Sequence, residues 1–209
     1  ATDVVPMEVL LDALEWAIDQ RVNIIFVGLA IPKNTLEKIE AEDLIDLGAK
    51  AVEAGAIIIA PVGELEDTNL DTERPIGNYP ACLESSISVG AYGEDGKRYE
   101  RMPLSFSLDI LAPGENMLTT ELGNGVIDNY TGTTAAAAFT AGLMALLLNY
   151  LRENGIPCCQ AEKLILLLKE SGELPGESST RIRSYVNGYG WISPENFIER
   201  SKVKTAACG

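Results

Sequence analysis

Apolar positions near the start of the chain fall on a helical period. Met7, Leu10, Leu11, Leu14, Ala17 and Ile18 share one face after Pro6, which predicts an amphipathic helix beginning there. The period then collapses into a nearly continuous apolar run, Val22-Asn23-Ile24-Ile25-Phe26-Val27, of the kind buried on both faces of a parallel sheet. The same order recurs. A second amphipathic stretch, from about Glu42 to Ala54, stops at Gly55 and leads into Ala56-Ile57-Ile58-Ile59-Ala60. A polar loop rich in Asp, Glu, Asn and Pro fills about 64–80, and short strands are predicted at Ser85–Val89 and Leu108–Leu111. Two long helices are predicted near 133–152 and 160–170, parted by Asn154-Gly155-Ile156-Pro157. Helices alternating with short buried strands argue for an α/β fold with a largely parallel sheet. No internal repeat, low-complexity run or interdomain linker interrupts residues 1–209, so a single domain is expected.

Composition narrows the chemistry. A hydrophobic content of 46% over 209 residues suits one sizeable core. The chain contains no histidine, so it cannot by itself build a Ser-His-Asp or Cys-His relay or a histidine metal site. Its formal net charge of −15 opposes nucleic acid and anionic membrane surfaces as partners. Cys82, Cys158, Cys159 and Cys208 lack zinc-ligand spacing and form no CxxC pair, so neither metal nor cofactor is expected. No run reaches the roughly 20 apolar residues that a membrane helix needs, which points to a soluble chain of unassigned compartment. The chain starts at Ala1 rather than Met, as a processed or excised piece would.

The most informative segment runs from Tyr130 to Gly142. It reads Tyr-Thr-Gly-Thr-Thr-Ala-Ala-Ala-Ala-Phe-Thr-Ala-Gly and resembles the nucleophile motif of the subtilisin-like serine proteases (subtilases, peptidase S8), roughly Gly-Thr-Ser-Met-Ala-Ser-Pro-His-Val-Ala-Gly. Gly132, Thr133, Ala136, Ala141 and Gly142 match, and Thr134 stands in place of the serine. Other landmarks follow in the family's order: Leu14-Glu15-Trp16-Ala17-Ile18, Asn23 to Leu29, Ala54 to Glu64, Tyr79-Pro80-Ala81 to Ala91, Leu108 to Gly114, and Gly188-Tyr189-Gly190-Trp191-Ile192. The resemblance covers essentially the whole chain and corresponds to the C-terminal two thirds of a subtilase. It implies a three-layer subtilisin-like fold with a mostly parallel sheet, lacking the N-terminal strands that carry Asp and His.

At the matching positions the chemistry is altered. Thr134 keeps a hydroxyl, but its methyl stiffens χ1 and crowds the approach of a substrate. Thr133 or Thr134 is expected to cap the helix that follows, rather than to act as a nucleophile. The resemblance places Glu64 where the family carries its oxyanion Asn. A carboxylate cannot donate a hydrogen bond unless protonated, and its charge opposes an oxyanion. The plainer reading of Glu64 is a solvated loop acid beside Glu66 and Asp67. The segments that would flank a substrate side chain, Gly28-Leu29-Ala30 and Ala60-Pro61-Val62-Gly63, remain small and apolar. They are candidates for a surviving peptide groove, although Pro61 has no N–H for strand pairing. Ala135 to Ala138 with Ala141-Gly142 reads as a small-residue face that lets the helix sit close to a sheet. Cys82 has neither a histidine nor a basic cluster beside it in sequence, which argues against a nucleophile.

The expected function is therefore that of a catalytically inactive, subtilase-like pseudoprotease with a binding, scaffolding or regulatory role. The alternative is the C-terminal part or subunit of an active serine-type endopeptidase, with Asp and His supplied by another segment or chain. A small-molecule site at the C-terminal ends of the strands is a third reading, without a GxGxxG or P-loop motif to support it. The expected partner is a protein or peptide, including the missing N-terminal part or a second copy, because the resemblance pairs strand 22–27 with the missing Asp-bearing strand and so implies an open apolar edge.

Overall fold

A computed structural model describes residues 6–65, 77–123, 125–156, 160–174 and 183–205. Cys158, Cys159, Cys208, Pro157, Glu66, Asp67 and most of the polar loop at 64–80 lie outside these residues.

Helix α1 (Met7–Asp19) follows Pro6 as its apolar period predicts, and buries Leu10 and Leu14. Strand β1 (Ile24–Phe26) comes next, followed by the two-residue β2 (Ile31–Pro32). Helix α2 (Lys38–Glu53) begins four residues earlier than its apolar face suggests. The reason is a capping box: Glu37 accepts from the backbone of Glu40, and the Glu40 side chain accepts from the Glu37 N–H at 2.8 Å. Strands β3 (Ile57–Pro61), β4 (Asn78–Tyr79), β5 (Ser86–Tyr92) and β6 (Ile110–Pro113) follow. The hairpin β7 (Met117–Glu121) and β8 (Gly125–Tyr130), which has no clear signal in the sequence pattern, precedes α3 (Thr133–Glu153), α4 (Ala161–Glu170) and α5 (Pro194–Thr205).

The central sheet is parallel throughout, in the order β1-β3-β5-β6. Ile57 and Ile59 point into the cluster that contains Met144, Leu147 and Leu151 of α3, whereas Ile58 and Ala60 point into that of Leu10, Leu14, Leu44 and Leu47 from α1 and α2. Helices thus cover both faces, and β3 is buried along its whole length. Pro61 is the last residue of β3, where a missing N–H disturbs the ladder least. The outer edge of β6 is closed by residues 190–192: Leu111 donates to Gly190 O, and Ile192 to Leu111 O, each at 2.8 Å. Among the described residues β1 pairs only with β3, so its other edge is open.

The reading of α3 from sequence needs correction. At 21 residues it is long and apolar enough to cross a membrane by length and composition. The apolarity has a structural use, because α3 packs along β1, β3, β5 and β6 with Met144, Leu147 and Leu151 in the core. Its small-residue face is narrower than expected. Ala135, Ala136 and Ala137 are buried against the sheet, but Ala138 and Gly142 face outward.

One ion cluster ties the end of α4 to the sheet. Asp109 is buried just before β6, accepts from the Ser88 N–H at 3.0 Å, and pairs with Lys169 Nζ at 3.1 Å and Arg183 Nη2 at 3.4 Å. Burial pushes its carboxyl above the ordinary carboxylate range, while Lys169, the Ser88 N–H and Arg183 hold it back. Removing one member of a buried, charged cluster leaves the others unpaired. Asp109→Asn is therefore expected to lower the unfolding free energy by about 3–5 kcal/mol in urea titrations. A variant as stable as the parent would show that the two cations do not need this carboxylate.

Candidate functional site

Three segments converge on the N-terminus of α3. Strand β3 ends in Val62-Gly63-Glu64, β1 ends in Val27-Gly28, and β8 turns through Thr131-Gly132 into the helix. Gly132 is the N-cap, with φ 155° and ψ 168°, a backbone region open in practice only to glycine. Its N–H donates to Gly114 O at 2.8 Å. A Cβ there would also collide with Glu64 Oε1.

The expectation that a threonine hydroxyl caps α3 is overturned. No side chain at the N-cap does so, and the Thr133 hydroxyl instead donates to Gly63 O at 3.1 Å. The free N–H of Thr133 is taken by Glu64 Oε1 at 3.2 Å, from 69 residues away in sequence. Glu64 is exposed, yet it is more than a solvated loop acid. A carboxylate at a helix N-terminus meets both an unpaired N–H and the positive end of the helix dipole. Thr134 is half-buried beside Gly28, and its methyl carbon would lie 3.5 Å from a Cβ at that glycine. Among the described residues no hydrogen bond reaches its hydroxyl.

The surroundings of Glu64 are charged. Arg101 Nη2 donates to Leu65 O at 3.2 Å, and the Leu65 N–H donates to Arg101 O at 2.8 Å. Tyr99 is buried nearby. Burial pushes its hydroxyl above the usual tyrosine range, Glu64 adds to the shift, and Arg101 opposes it.

The groove candidates come together more tightly than a cleft requires. Gly28 is exposed and Leu29 and Ala30 are half-buried, whereas Ala60, Pro61, Val62 and Gly63 are all buried. At Gly63, φ is 101°, and a Cβ would lie 3.2 Å from the Ala30 Cβ and collide with Asn78 Nδ2. Asn78 is itself buried and donates Nδ2 to Val62 O at 2.8 Å. Its amide therefore fills the space beside Gly63. Sequence reasoning missed Asn78; the one signal was a polar residue directly before the Tyr79-Pro80-Ala81 turn. Two cavities, of about 660 and 620 Å³, lie elsewhere, and none of the seven groove residues lines either. Both cavities are lined by Cys82, whose thiol burial pushes up and Lys33 pulls down. The fold thus supplies a basic neighbour that the local sequence does not. Among the described residues no group of His, Cys, Asp or Glu could hold a metal ion.

A family model described as the subtilase family (Peptidase S8) matches residues 4–171. The chain belongs to the subtilase family. It is 31% identical over 147 residues to the major intracellular serine protease of Bacillus subtilis (strain 168), covering 70% of this chain and 43% of that protein. It is 32% identical over 138 residues to an intracellular serine protease of Paenibacillus polymyxa, covering 66% of this chain and 40% of that one. This subtilase therefore spans less than half the length of these curated relatives. Among solved structures, the prenylagaramide maturation protease PagA superposes with a TM-score of 0.78 at 23% identity, over 95% of this chain and 68% of that one. The PatG macrocyclase bound to a peptide gives 0.78 at 23% identity, over 95% and 58%. At such identities the structures establish the shared subtilisin-like fold. The match over 4–171 spans Glu64, Thr134 and both groove segments.

Because Glu64 caps α3, Glu64→Ala is expected to cost about 1 kcal/mol of stability, a typical loss for a helix cap. Gly132→Ala should cost more, since it meets both the disfavoured backbone region and the Glu64 carboxylate. Urea titrations of both variants check this. A Gly132→Ala protein of parental stability would contradict the N-cap geometry.

Proposed function

We propose that this subtilase domain does not hydrolyse peptides and instead serves as a binding, scaffolding or regulatory domain for a protein partner. The observation that carries the reading is the Glu64 carboxylate on the first N–H of α3. Oxyanion stabilisation in acyl transfer needs donors aimed at the developing charge. Here the side chain that the family resemblance aligns with such a donor brings negative charge to the same helix end. Thr134, at the position where the resemblance places the serine, points the same way. Asn78, packed against Gly63 and bonded to Val62 O, supports a closed slot rather than an open one for a substrate side chain.

A second reading has two observations in its favour. The Thr134 hydroxyl is free of hydrogen bonds among the described residues, and the chain spans 43% of its relative from Bacillus subtilis. A polypeptide outside residues 1–209 that supplied a base could turn toward this hydroxyl, although Glu64 would still oppose the oxyanion. The two readings separate by assay. The chain alone is expected to leave casein intact and to take up no fluorophosphonate probe, and Thr134→Ser should restore no hydrolysis above a Thr134→Ala control. Stoichiometric labelling of Thr134, or measurable turnover by the serine variant, would refute the non-catalytic reading.

The open edge of β1 is the place we assign to a protein partner. Val27 N–H donates inward to Ile59 O at 3.0 Å, so the alternation of a parallel ladder turns the Phe26 N–H outward. Beside it stands the Phe26 side chain, 42% exposed. Strand addition, by a second copy or by a segment from outside residues 1–209, would cover both the backbone and this side chain. In a monomeric preparation the Phe26 amide should exchange fast and the Val27 amide slowly. In an associated one, detected by light scattering at low micromolar concentration, both should be protected. Association that leaves Phe26 exchanging freely would place the partner elsewhere.

A further inference from the structure

Away from the N-terminus of α3, a cleft of about 620 Å³ opens toward the N-terminal ends of β5 and β6. Its lining includes Lys33, Lys169 and Arg183 against two carboxylates, those of Asp109 and Glu84. The charge is therefore locally positive in a chain whose net charge is −15. Asp109 is buried and directed at two cations at once, Lys169 and Arg183, so it can neutralise only one of them. Glu84 is exposed at the rim.

The donors are not used up. Lys169 Nζ carries three N–H groups and gives one bond to Asp109. Arg183 spends Nε on Leu108 O at 3.0 Å and Nη2 on Asp109 Oδ1, leaving its second amino group. Lys33 packs its ammonium 5.5 Å from the Tyr79 ring centre and has no carboxylate partner among the described residues. Ser107 lines the same cleft with its hydroxyl, held to Ser105 Oγ at 2.8 Å. Lys169 is mostly buried, its side chain 15% exposed, which fixes one cation in place and lowers the entropic cost of using it.

We propose that this cleft binds a small oxyanion, a carboxylate or phosphate group, held by Lys33 together with the spare N–H groups of Lys169 and Arg183. Charge-assisted hydrogen bonds from several fixed donors are the usual way proteins hold such groups.

The test is titration of the full chain with inorganic phosphate and, separately, acetate at constant ionic strength, following backbone amide shifts, with neutral acetamide as control. Saturable shifts at Ser107 and Asp109 with either anion, and none with acetamide, are expected; which anion saturates distinguishes a phosphoryl from a carboxylate source. Lys33→Gln should weaken binding by about five-fold or more, and Lys33→Arg should restore it. Lys33 is exposed and outside the core, so these variants should keep the parental amide spectrum. The proposal is overturned if neither anion saturates, if Lys33→Gln binds as tightly as the parent, or if shifts spread evenly over the surface. The same holds if Lys33→Arg binds no better than Lys33→Gln.

Discussion

The structure depends on one strand being buried from both sides. β3 lies between β1 and β5, with α3 packed over one face and α1 and α2 over the other, so every residue from Ile57 to Pro61 is shielded from water. A strand so enclosed has little freedom to shift register, because a slip of one residue would exchange its two apolar faces against different partners. Its C-terminal end is correspondingly fixed, and that end carries Gly63 and Glu64 to the start of α3. The contact between Glu64 and the Thr133 N–H, across 69 residues, is a consequence of this central burial rather than of any local preference.

The same constraint sets Glu64 at the start of α3. A carboxylate at the N-terminus of a helix is electrostatically favourable, so this contact contributes to the stability of α3. Gly132 makes this possible, since its lack of a Cβ leaves room for the Glu64 carboxylate. Asn78 does comparable work nearby, satisfying Val62 O and occupying the space beside Gly63.

Charge is distributed unevenly over this frame. Acidic residues outnumber basic ones, 31 to 16, yet Lys169 and Arg183 are drawn together by the buried Asp109 carboxylate. Desolvation makes such a cluster costly, and it persists because the carboxylate also accepts the Ser88 N–H. The segment that includes Arg183 and closes the β6 edge through residues 190–192 is thereby joined to the sheet by charge as well as by backbone hydrogen bonds.

Much of the architecture was legible in the sequence. The 3.6-residue period of Leu10, Leu14 and Ile18, the unbroken apolar run at 56–60 and the long apolar stretch after Thr133 each specify an element through burial alone, which is a local and additive signal. Membership of the subtilase family was legible too, since the order of its motifs along the chain needs no coordinates. What the chain order could not supply was pairing across distance. The capping box that moves the start of α2 was within reach of the sequence, but the cap of α3 by Glu64 rather than by Thr133 or Thr134 was not. Nor were the placement of Asn78 against Gly63 and the gathering of Lys33, Lys169 and Arg183 around one cleft. Those depend on which side chains the packed sheet brings within hydrogen-bond distance, and only the tertiary structure decides that.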